Sequence, residues 1–181
     1  MICSRAEAYA LLLKAGRGAG LPLGCVEDLA AAMAIAPTPV WAVLPDALGG
    51  EFNGTPPDEI DGQLIYETSR VALDGPAAID AALCGQEVYL GNLDAPLILV
   101  MLARVAEEAT EQSFEYLFDD EGGVLVRISN DPVVPFVRPK DRADIPDSVW
   151  GMMNILAAKT YVPESEASRV SGAGAGLTDN D

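Results

Sequence analysis

Apolar residues recur along the chain with two periods, one helical and one alternating. Tyr9, Leu12, Leu13 and Gly16 fall at i, i+3, i+4 and i+7 behind a Ser4–Glu7 capping-box pattern, which predicts a first helix over 5–17. Gly18 and Gly20 supply its stop, and Pro22 follows. Val26, Leu29, Ala30 and Met33 make the buried stripe of a second helix over 24–36, with Glu27 and Asp28 in its first turn, where the helix dipole favours acids. Pro37-Thr38-Pro39 ends that helix, and 40–48 reads as a short third one.

Residues 49–62 are rich in turn formers, including Asn53-Gly54 and Pro56-Pro57, and separate the helical start from the rest. Strands are expected over 63–68 and 87–90, with 71–73 a further short candidate, and Pro76 opens a short helix carrying Ile79, Ala82 and Leu83. Asp94-Ala95-Pro96 reads as a cap and early-turn proline ahead of a buried helix over 96–111, with a strand over 97–102 as the alternative. Phe114, Tyr116 and Phe118 alternate with Glu115 and Leu117, and Val124, Val126 and Ile128 alternate with Leu125 and Arg127. Joined by Asp119-Asp120-Glu121-Gly122-Gly123, these runs form the clearest hairpin in the chain. Val149, Met152, Met153 and Leu156 place a last long helix after Pro146-Asp147; Pro163 ends it, and a short helix over 164–171 leads into a Gly-Ala tail.

The expected fold is α+β: a helical N-terminal hairpin and a small, mostly antiparallel sheet packed by helices. A chain of 181 residues fits one domain over 1–181, with a helical unit at about 1–48, an α+β body at about 62–162 and a tail at about 163–181.

Charge narrows the partners. The net charge is −17, from 28 acidic against 11 basic residues, and no two basic residues are adjacent. Such a field repels nucleic acid and anionic membranes, so neither is expected as a partner. The apolar run 97–103 is far shorter than the roughly 20 residues a membrane helix needs. Cys3, Cys25 and Cys84 show neither a metal-ligand nor a disulfide-framework spacing, which fits a cytoplasmic protein with reduced thiols; Cys25 and Cys84 read as buried fillers.

There is no histidine, so Ser-His triads, Cys-His pairs and histidine metal sites are excluded. Carboxylates, lysines and tyrosines remain for acid–base work, alone or with magnesium. Gly16-Arg17-Gly18-Ala19-Gly20 follows a helix rather than a strand, the wrong context for a dinucleotide fingerprint. It reads as a tight interhelical turn, or as an anion nest formed by Arg17, Gly18 and Gly20. The second cluster, Gly172, Gly174 and Gly176 after Arg169, reads as a mobile tail or as one folding back over a pocket or partner. These seven residues are the candidate ligand-binding set. The acidic groups at 58–61, 119–121 and 179–181 read as solvated surface, and no metal or other cofactor is expected. Trp41 and Trp150 read as core or interface anchors.

Lys14-Ala15-Gly16-Arg17-Gly18-Ala19-Gly20, Asp74-Gly75-Pro76-Ala77 and Thr160-Tyr161-Val162-Pro163-Glu164-Ser165-Glu166-Ala167-Ser168-Arg169 with the Gly-Ala tail resemble an uncharacterised bacterial family known only as a domain of unknown function. The resemblance spans most of the chain, is most specific in the C-terminal string, and implies no activity. The opening helix–glycine–helix is also similar to the start of malate/L-lactate-type dehydrogenases. Their serine-histidine-glycine motif is replaced here by Thr38-Pro39-Val40-Trp41, which removes that site.

The sequence therefore favours a non-catalytic binding or accessory protein, with a protein partner or a second copy of itself. The alternative is a small enzyme or a binder of anionic small molecules, using Arg17, Arg169 and carboxylates.

Overall fold

A two-residue strand β1 (Ile2–Cys3) precedes α1 (Arg5–Ala19) in the computed structural model, which describes residues 1–52, 54, 56–139 and 142–160. The capping box forms: the Glu7 amide donates to Ser4 Oγ at 3.1 Å, and the Ser4 amide donates to Glu7 Oε2 at 2.7 Å. The helix does not stop at Arg17. It runs on through Gly18 and Ala19, and Gly20 closes it in the left-handed region at φ 97°. Glycine is needed inside this helix because two neighbours press on it. A Cβ on Gly16 would lie 2.8 Å from a Val26 methyl of α2 (Leu23–Ile35), and one on Gly18 would lie 1.8 Å from the Leu156 carbonyl oxygen. The expected third helix is two pieces, α3 (Thr38–Trp41) and α4 (Leu44–Leu48), broken at Val43 and holding Trp41 fully buried.

β2 (Asp58–Ile60) and β3 (Gln63–Tyr66) form a tight antiparallel pair. α5 (Val71–Leu83) then begins five residues ahead of the expected Pro76 start and absorbs the candidate strand at 71–73. Its early start is stabilised twice: from outside, where the Val71 amide donates to Asp94 Oδ1 at 2.9 Å, and from its own first turn, where the Arg70 amide donates to Asp74 Oδ2 at 2.7 Å. Pro76 sits in the second turn, where only one intrahelical bond is forfeited.

β4 (Glu87–Leu90) pairs parallel to β3, making a strand–helix–strand unit. α6 (Pro96–Thr110) is helical throughout, not a strand, with Ile98, Leu99 and Leu102 buried. Its N-cap is Ala95 without a side-chain bond, because Asp94 turns instead to α5. β5 (Ser113–Phe118) and β6 (Val124–Ser129) form the expected hairpin in continuous register from Ser113↔Ser129 to Phe118↔Val124. β7 (Ala143–Asp144) pairs antiparallel with β1, and α7 (Asp147–Ala158) packs along α1.

The fold is α+β. Its mixed sheet has the order β2-β3-β4-β6-β5, antiparallel except at β3–β4. α5 and α6 lie on one face of it, α2 lies against both, α1 packs on α2, and α7 packs on α1. The buried apolar residues join in one cluster running from Cys3 to Met153.

Candidate functional site

The predicted site residues divide at once. Arg17 is exposed in the last turn of α1, Gly18 is pressed against α7, and the Gly20 amide donates to the carbonyls of Arg17 and Gly16. The backbone of Gly16, Gly18 and Gly20 is thus engaged in the helix and its cap. Arg169, Gly172, Gly174 and Gly176 lie outside the described residues, as does the short helix expected at 164–171.

A different feature stands out, the sheet face turned away from the helices. Strand alternation sends Val88, Leu90, Val124, Val126 and Phe114 into the core. Their neighbours point the other way and align in two rows. In the first, the registers Ile65↔Tyr89, Tyr89↔Leu125 and Leu117↔Leu125 set four apolar or aromatic side chains side by side across four strands, with Asp58 opposite Ile65 at the end. In the second, Gln63 faces Glu87, and Arg127 lies between two acids: its Nη1 donates to Glu87 at 2.9 Å and its Nε to Glu115 at 2.7 Å. These bonds hold the guanidinium pKa above its ordinary value, the Glu87 bond first. Among the described residues no helix packs on this face, and Leu117 is 47% exposed.

The acidic hairpin tip rims the face at one end. Asp119 Oδ1 accepts the amides of Glu121 and Gly123, and Oδ2 accepts the Tyr89 hydroxyl at 2.7 Å. The Tyr89 bond is the first cause that lowers the Asp119 carboxyl, and it raises the Tyr89 phenol. The Leu93 amide donates to the Gly122 carbonyl, a second tie from the tip to the chain after β4. At the other end is a polar depression of about 530 Å³, whose lining includes Glu87, Glu115, Arg127, Ser129 and Asp131. One arginine is thus outnumbered by carboxylates from end to end.

Beside the carboxyl ends of the parallel strands, where α/β sheets often hold ligands, Arg70 is committed to the protein's own groups. Arg70 Nε donates to Asp94 Oδ2 at 2.6 Å, its Nη atoms donate to the carbonyls of Gly49, Asp46, Ala47 and Glu51, and its Cζ lies 5.0 Å from the centre of the Phe52 ring. Asp94 and Asp74 occupy the N-terminus of α5, so an anion would meet two carboxylates there. Asp74 is buried, and burial is the main cause that raises its carboxyl, with the Arg70 amide acting against it.

No group of three or more His, Cys, Asp or Glu side chains among the described residues could hold a metal ion, and no described helix is long and apolar enough to cross a membrane. Cys84, expected as a buried filler, is exposed beyond α5, whereas Cys25 is half-buried and its thiol is raised by burial. Compared with protein-family models, curated proteins and solved structures, the chain matches none.

The carboxyl shifts set the acid side of stability. Burial raises Asp74 and Asp28, so the folded protein takes up these protons at higher pH than the unfolded chain does. Stability therefore rises as pH falls from neutral towards the ordinary aspartate value of 3.8 and declines as pH climbs back through that window. Glu7, Glu108 and Asp119 are lowered by their hydrogen bonds, so their contribution is lost as pH falls through their folded values. The thermal midpoint, scanned at constant ionic strength, is expected to peak on the acid side of neutrality. Asp74→Asn, which keeps an acceptor for the Arg70 amide, should flatten the rise; a midpoint that climbs steadily from acid to alkaline pH would contradict this account.

Proposed function

We propose that the chain is a non-catalytic binding protein whose open sheet face receives a basic surface of a protein partner. The row Ile65–Tyr89–Leu125–Leu117, bordered by acids on both sides, carries this reading. Apolar and aromatic side chains in the middle of a patch supply binding energy when water leaves, and tyrosine is favoured at such centres. The surrounding carboxylates steer a cationic partner and reject an anionic one. Self-association through this face is disfavoured, because it would bring two sets of carboxylates together.

The test is a pair of charge insertions on the row, Leu117→Arg with Leu125→Arg, checked for folding by circular dichroism. The wild-type protein is expected to capture one stoichiometric partner with a basic contact surface, in a complex that weakens with salt, and the double variant is expected to lose it. A partner retained by the variant places docking elsewhere. A wild-type homodimer that the variant abolishes would replace the basic partner with a second copy.

A further inference from the structure

A second surface, on the far side of the α5–α6 layer, has its own chemistry and does not depend on the sheet face. α2, α5 and α6 enclose a groove of about 140 Å³ walled by Ile79, Leu102, Val105 and Ala109, with Asp28 and Asp80 at its exposed edge. That volume is below the roughly 300–1,000 Å³ of pockets for drug-sized molecules, so a single side chain suits it better. No described residue forms a salt bridge or hydrogen bond with either aspartate.

We propose that this groove receives a lysine or arginine side chain from an amphipathic basic helix of a partner protein, its stem between the apolar walls and its charged head between Asp28 and Asp80. Long basic side chains bury an apolar stem while keeping the head at a polar edge. Burial raises the Asp28 carboxyl first, and the nearby charges of Asp80 and Glu27 raise it further. A cation placed between Asp28 and Asp80 removes that repulsion. A helix is the fitting source because its amphipathic face holds the basic side chain in one direction and sets apolar neighbours a turn away on either side of it. A free alkylamine gains little contact against the cost of immobilising it.

The experiment uses the full chain and amide chemical shifts, with two probes: n-pentylammonium and a short leucine–lysine amphipathic peptide. Both are expected to give saturable shifts confined to α2, α5 and α6, with the peptide binding more tightly. Asp28→Asn with Asp80→Asn should weaken the peptide by about tenfold, or 1.4 kcal/mol, whereas Leu117→Arg with Leu125→Arg should leave it unchanged. Shifts spread over the whole acidic surface, an unaffected aspartate double variant, or binding of the amine without the peptide would each overturn the proposal. Peptide loss only in the leucine double variant would assign it to the sheet face instead.

Discussion

Replacing Gly18 with alanine is expected to destabilise the protein by about 3 kcal/mol, at the upper end of overpacking costs. The direction opposes helix propensity, since alanine in a helix interior is ordinarily better than glycine by roughly 1 kcal/mol. Here the new methyl would stand 1.8 Å from the Leu156 carbonyl oxygen. That atom belongs to the backbone of α7 and cannot rotate aside, so α1 and α7 must separate along one of the most extensive helix contacts in the fold. Gly151, within α7, provides the matched control because nothing lies within 4 Å of its added Cβ. Gly151→Ala should stabilise by about 0.5–1 kcal/mol. Urea midpoints of the two variants should therefore move in opposite directions; a shared direction would refute the close approach of α1 and α7.

Asp94→Ala is expected to cost about 2–4 kcal/mol, because one carboxylate holds two elements. It accepts the first amide of α5 and pairs with Arg70, and the side chains of the pair are only 23% and 18% exposed. Without it, the Arg70 guanidinium retains backbone carbonyls and the more distant charge of Asp74 but loses its salt-bridge partner. Asp94→Asn should cost less, since it can still cap Val71. Arg70→Lys should cost nearly as much as the alanine variant: a single ammonium cannot span the carboxylate and the carbonyls around Gly49 together. Denaturation midpoints rank the three variants, and hydrogen exchange at the Val71 amide reports the cap directly. Unchanged exchange in Asp94→Ala would remove Asp94 from that role.

These two sites also mark where the sequence could be read and where it could not. α1, α2, α6, α7 and the β5–β6 hairpin follow from local periodicity and caps, so their existence was legible. Gly18 reads locally as a helix stop, because the reason for a glycine inside the helix there is Leu156, more than a hundred residues away. The start of α5 was missed for the same cause, since its cap comes from Asp94 across the β4 turn. β1 and β7 are two residues each and carry no period at all. The candidate face was half legible. Glu115 and Leu117 alternate visibly with core residues, but only the strand order sets Tyr89 beside both Ile65 and Leu125.

The β4–β6 contact is the seam of the sheet, since the parallel unit and the hairpin on either side of it are each encoded locally. A ladder has no intrinsic memory of alignment, and a shift by one residue would turn every side chain over. Slipping β6 would turn Val126 to water and drive Arg127 among the helices, and slipping β4 would do the same to Val88 and Tyr89. The Tyr89–Asp119 and Leu93–Gly122 bonds lie at the end of this seam and act as a vernier, holding the two halves to one alignment. The same pegs that rim the proposed docking face thereby guarantee that it is the face presented.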